Sequence, residues 1–115
     1  MSSSDESKYA PFTLIAGDNP SLILSDDDMS LRVSVFEEKE DEGWLGNGYD
    51  WTAIARVVVD EKIPDAKDKL EFDPEAGMFC ALGSIESLER LGAEMKKVFD
   101  DENLLRDVLS RAELD

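Results

Sequence analysis

Short apolar blocks separated by turn-forming residues occupy the first third of the chain, and stripes of helical spacing dominate its last third. Residues 12–16 and 21–25 are apolar runs joined across Gly17, Asp18, Asn19 and Pro20, each of which favours a turn for its own reason. This pattern predicts two strands in a hairpin. After Asp26, Asp27 and Asp28, the run Leu31-Arg32-Val33-Ser34-Val35 alternates apolar and polar positions. Period two predicts a third strand with one buried face, leaving Arg32 and Ser34 towards solvent.

The periodicity stops between residues 37 and 48, where an acidic run leads into Gly43-Trp44-Leu45-Gly46-Asn47-Gly48. Beyond it Trp51, Ile54, Ala55, Val58 and Val59 recur at helical spacing, with Asp50 placed to accept from the free N–H groups of a helix start. Pro64 biases Ile63 away from helical geometry, so the helix is expected to end near Lys62. Residues 57–59, three valines, also suit a strand, but Trp51 and Ile54 extend the helical stripe. Residues 70–72 and 78–82 flank Asp73-Pro74-Glu75-Ala76-Gly77, which predicts a second hairpin. Ser84 is expected to cap a helix carrying Leu88, Leu91, Gly92, Met95, Val98 and Phe99 on one face. Asp100 and Asp101 interrupt it before a second stripe of Leu104, Leu105, Val108, Leu109 and Ala112.

The expected architecture is α+β. It has a mainly antiparallel sheet of about five strands and two or three helices on one face, in the order βββαββαα. Residues 1–8, polar and without period, are expected to be a flexible lead, and residues 9–115 a single domain.

Length and charge narrow the reading. At 115 residues the chain can bury about two thirds of its surface on folding, enough for one core. With 42% apolar residues it is not a low-hydrophobicity disordered segment. It carries 28 acidic and 12 basic residues, a formal net charge of -16. Such a charge disfavours nucleic acid as a direct ligand, since phosphate would be repelled. The absence of histidine removes Ser-His-Asp and Cys-His catalysis, and a single cysteine removes disulfide frameworks and cysteine-rich metal sites. No apolar run reaches a membrane span and the first residues lack the marks of a signal peptide, so a cytoplasmic protein without membrane partner is expected.

No cofactor and no metal are expected. Asp26, Asp27 and Asp28 are contiguous, whereas a calcium loop needs oxygens at alternating positions. Cys80 lies in an apolar run and reads as an inert buried thiol. Gly46-Asn47-Gly48 lacks the third glycine of a dinucleotide fingerprint and reads as a turn. Negative charge is densest between residues 37 and 50, where six carboxylates face one lysine. This run is either a solvated face or a landing site for a basic partner. Trp44 and Tyr49, set among charge and glycine, are either a lid on the core or aromatic anchors at an interface.

The string Phe36-Glu37-Glu38-Lys39-Glu40-Asp41-Glu42-Gly43-Trp44-Leu45-Gly46-Asn47-Gly48-Tyr49-Asp50-Trp51, with the later Phe72-Asp73-Pro74-Glu75-Ala76-Gly77-Met78-Phe79-Cys80-Ala81, resembles the immunity protein 51 family of bacterial polymorphic toxin systems. The resemblance runs from about residue 12 to residue 99. It implies a small cytoplasmic protein that binds and neutralises a cognate toxin encoded nearby, without catalysis. Added to the residues themselves, it yields a candidate partner-binding set of Asp26, Asp27, Asp28, Glu37, Glu38, Glu40, Asp41, Glu42, Trp44 and Tyr49. An acidic housekeeping module with a basic partner, or a small carboxylate-dependent hydrolase, are the competing expectations.

Overall fold

A computed structural model describes residues 9–113; the lead expected over residues 1–8 lies outside the described residues. The two predicted hairpins form as strand β1 (Thr13–Ile15) with β2 (Ser21–Ser25), and β3 (Leu70–Phe72) with β4 (Met78–Gly83). They join through β2 and β4 into one antiparallel sheet of order β1-β2-β4-β3. The register sets Leu22 opposite Ala81 and Leu24 opposite Phe79, and all four side chains are buried. Because neighbours along a strand point to opposite faces, this fixes Ile23 and Cys80, themselves paired, on the other side.

The expected third strand does not exist. From Asp26 the chain turns helical, as α1 (Asp26–Met29), a 3₁₀ turn over Ser30–Arg32 and α2 (Val33–Glu37). Val35 and Phe36 are adjacent and both fully buried, which one face of a strand does not allow but the inner stripe of a helix does. Three aspartates in the first turn of α1 complement its positive end. Helices this short do not persist alone. Burial of Met29, Val35 and Phe36, worth about 2 kcal/mol each, holds them on the core. Arg32, expected on a solvent face, instead donates from Nε to the Phe99 carbonyl at 2.7 Å, with its guanidinium 4.6 Å from the centre of the Phe99 ring.

Three longer helices follow the expected stripes: α3 (Gly48–Lys62), α4 (Ile85–Asp100) and α5 (Glu102–Arg111). The valines at 57–59 are helical. Ser84 caps α4 by accepting from Ser87 N, and Asp101 caps α5 by accepting from Asn103 N and Leu104 N. The described chain is therefore α+β, with four strands instead of five and five α-helices instead of two or three. The buried apolar side chains of all five helices share a single cluster with the inner face of the sheet. At its centre Trp51 stacks on Phe99 at 5.6 Å between ring centroids, with Phe36 at 5.4 Å and Phe12 edge-on at 6.3 Å. The indole Nε1 of Trp51 has no hydrogen-bond partner among the described residues, so its side chain is held by packing.

Candidate partner-binding surface

The acidic run and the glycine-rich loop connect α2 to α3, and one side chain organises them. Asp50 is buried, and its Oδ2 accepts from Leu45 N at 2.6 Å and from Gly46 N at 2.7 Å. These are charge-assisted bonds to backbone N–H groups, about twice as strong as neutral ones. Asp50 was the expected helix cap, but Asn47 takes that role: its Oδ1 accepts from Asp50 N at 3.0 Å. The sequence signal was present, since Asn47 and Asp50 have the spacing of a capping box. Here the acidic member reaches past the cap into the preceding loop.

Two glycines make the clamp possible. Gly46 sits at φ +81°, in the left-handed region, with space for a Cβ closed off by Val33 Cγ2 and Phe36 Cδ2 at 3.3 and 3.4 Å. Gly48 donates to the Ala76 carbonyl at 3.0 Å, and a Cβ there would overlap the carbonyl oxygens of Glu75 and Met78. The start of α3 is thus seated directly on the loop between β3 and β4.

With the loop so tied, its side chains divide. Trp44 turns inward, 4% exposed, its ring 6.2 Å from that of Phe36. Of the two readings the sequence left open, lid on the core or interface anchor, its burial fits the lid, and little of its surface is left for a partner. Tyr49 is 55% exposed and Leu45 65%. Leu45 was missed in the sequence because a lone leucine among glycines gives no period. Its outward position follows from its N–H being turned in to Asp50.

The carboxylates divide as well. Glu38 is committed within the molecule, accepting from Arg106 Nε at 3.0 Å and Nη2 at 2.9 Å, and this hydrogen bonding holds its carboxyl below the usual range. Glu42 lies 3.7 Å from Lys39 Nζ. Glu37, Glu40 and Asp41 are exposed and make no ion pair among the described residues. In α1, Asp26 and Asp27 are exposed, while Asp28 is half-buried and accepts from Ser25 Oγ at 3.0 Å. A break at Arg32, where φ is -120°, separates this aspartate cluster from the run after α2.

Acid–base chemistry finds little support in these groups. Glu61 and Asp65, like Glu38, are held below the ordinary carboxylate range by hydrogen bonds from arginine, Arg111 and Arg90 respectively. That direction is opposite to the one a general acid needs. For Cys80, burial first, then the Asp73 and Glu75 carboxylates, push the thiol up. Among the described residues no three acidic or cysteine side chains are grouped to hold a metal ion, and no helix is long and apolar enough to cross a membrane.

Neither the curated proteins nor the solved structures contain a match to this chain. The family description for immunity protein 51, however, matches residues 12–114, a span that includes every strand and helix described above, the Asp50-clamped loop and both quoted motifs. The chain belongs to the immunity protein 51 family.

Proposed function

We propose that this protein binds a cognate toxin non-covalently in the cytoplasm and blocks it, docking through the clamped loop and the acidic run before it. The family supplies the kind of partner. The observation that carries the site is the Asp50 clamp, which holds Leu45 and Tyr49 outward on a fixed loop directly after the exposed Glu37, Glu40 and Asp41. Rigid presentation lowers the ordering cost of association, and an apolar centre with a charged margin is the usual composition of a protein interface. Asp26, Asp27 and Asp28 extend the negative field and act through steering. Trp44 contributes from beneath, as the floor of the loop.

A net charge of -16 fits a basic toxin surface, such as that of a nuclease that must itself bind phosphate. Complementary charge raises association from about 10⁵–10⁶ M⁻¹s⁻¹ towards about 10⁸–10⁹ M⁻¹s⁻¹ at low salt. Stopped-flow mixing with the toxin domain encoded beside the gene tests the reading; failure to form a tight complex ends it. Reversing Glu40, Asp41 and Glu42 to lysine is expected to slow association about tenfold and flatten its salt dependence, leaving dissociation less affected. Unchanged association rates would take the acidic run out of the interface.

A further inference from the structure

The sheet has a face that no described helix covers. Leu14, Leu22, Leu24, Phe79 and Ala81 turn into the core, so the register sends Ile15, Ile23, Met78, Cys80 and Leu82 to the opposite side. Cys80 is buried and yet stands outside the core cluster that holds every other buried apolar residue. By register it shares the outer face with Ile15, Ile23, Met78 and Leu82, an apolar strip along which Ile15 is 45% exposed. The strip continues from the clamped loop: Gly48 at the base of that loop bonds to Ala76, and Met78, two residues on, opens β4 on the outer face.

We propose that the toxin-binding surface extends from the clamped loop across the β3–β4 turn onto this outer sheet face. Its occupant there is a toxin surface with apolar side chains at its centre and lysine or arginine around them. The proposal rests on the reading of the protein as a toxin inhibitor. Three strands about 4.8 Å apart and about five residues long cover roughly 250 Å². A stable interface takes about 800 Å² from each partner, so the margin of the strip must join the contact. That margin carries Asp18, Asp68, Glu71, Asp73 and Glu75 against Lys69, and none of the five carboxylates has an ion pair among the described residues. A second copy of this chain would set carboxylates against carboxylates; a basic partner satisfies them.

The protein contains five isoleucines, at 15, 23, 54, 63 and 85, which makes the test direct. In an isoleucine-methyl NMR spectrum of the unmodified protein, addition of the neighbouring toxin domain is expected to move Ile15 and Ile23, while the core residues Ile54 and Ile63 stay in place. The ring signals of Tyr49 report the loop in the same sample. Movement of Tyr49 with Ile15 and Ile23 unmoved overturns the sheet-face contact and leaves the toxin-inhibitor reading standing. Absence of any complex removes both. Movement of Ile15 and Ile23 alone keeps the sheet face and takes the loop out of the contact. As a second measurement, Ile23→Lys with Leu82→Lys is expected to weaken the complex at least tenfold with an unchanged circular dichroism spectrum. A correctly folded double variant that binds as tightly as the parent also overturns the proposal.

Discussion

Gly48→Ala is expected to destabilise the protein by about 3 kcal/mol, lowering the thermal midpoint by roughly 10 °C for a chain of this size. In isolation the change would help, since alanine is the better helix former by about 1 kcal/mol. The added methyl, however, would meet the carbonyl oxygens of Glu75 and Met78, which are backbone atoms of a turn paired to itself by Glu75 N donating to Met78 O at 2.8 Å. Neither can rotate away as a side chain could, so helix start and hairpin turn must separate and the Gly48–Ala76 hydrogen bond is lost with them. Gly77→Ala in the same turn is the control: a Cβ there meets nothing within 4 Å and its φ is not positive, so its midpoint should stay within a degree or two of the parent. Equal midpoints for the two variants would show that α3 does not depend on its seat against the turn.

Asp50→Ala should have a comparable effect on stability, about 3 kcal/mol, by a different route. Two backbone N–H groups, of Leu45 and Gly46, lose an ionised acceptor, and hydrogen bonds to charged groups contribute about 1.5–3 kcal/mol each. The Gly46 bond is buried, where water cannot easily replace the lost partner. Asp50→Asn keeps an acceptor oxygen but not the charge, and should fall about halfway between parent and alanine in urea denaturation. Amide exchange distinguishes local from global loosening: Leu45 and Gly46 should exchange faster than the interior of α3. If they exchange at the parent rate, the carboxylate does not hold the loop. For toxin binding the expected signature is faster dissociation with association nearly unchanged, because the charge of the acidic run remains while Leu45 and Tyr49 lose their fixed positions.

Both hairpins were legible because turn chemistry and alternation agreed. Residues 17–20 can hardly be anything but a turn, and Leu22 and Leu24 meet Phe79 and Ala81 across the β2–β4 pair as period two requires. Helices α4 and α5 were legible for the same reason, each stripe beginning at a side chain able to cap it. The segment 31–35 misled because five alternating residues are too few to tell a strand from a helix, and the deciding position, Phe36, lies just beyond the run. Trp44 was ambiguous because its direction depends on which carboxylate ties the loop, a choice made by folding and invisible in local spacing. The partner of Glu38 was out of reach altogether: Arg106 stands 68 positions away and meets it only when α5 returns across the core. Of the candidate site, then, the charge was readable but not how it is divided between internal pairing and availability.

The two tryptophans have an optical consequence. Trp44 and Trp51 are both enclosed, at 4% and 0% exposure, and among the described residues the central indole has no hydrogen-bond acceptor that would lower its excited state. Excitation at 295 nm should therefore give unusually blue emission from the native protein and a large red shift on denaturation. Tyr49 and the outer sheet face hold no tryptophan, so a tryptophan-free toxin domain should leave this emission nearly unmoved on docking. The protein thus carries an internal lamp that reports whether it is folded, independently of whether it is occupied.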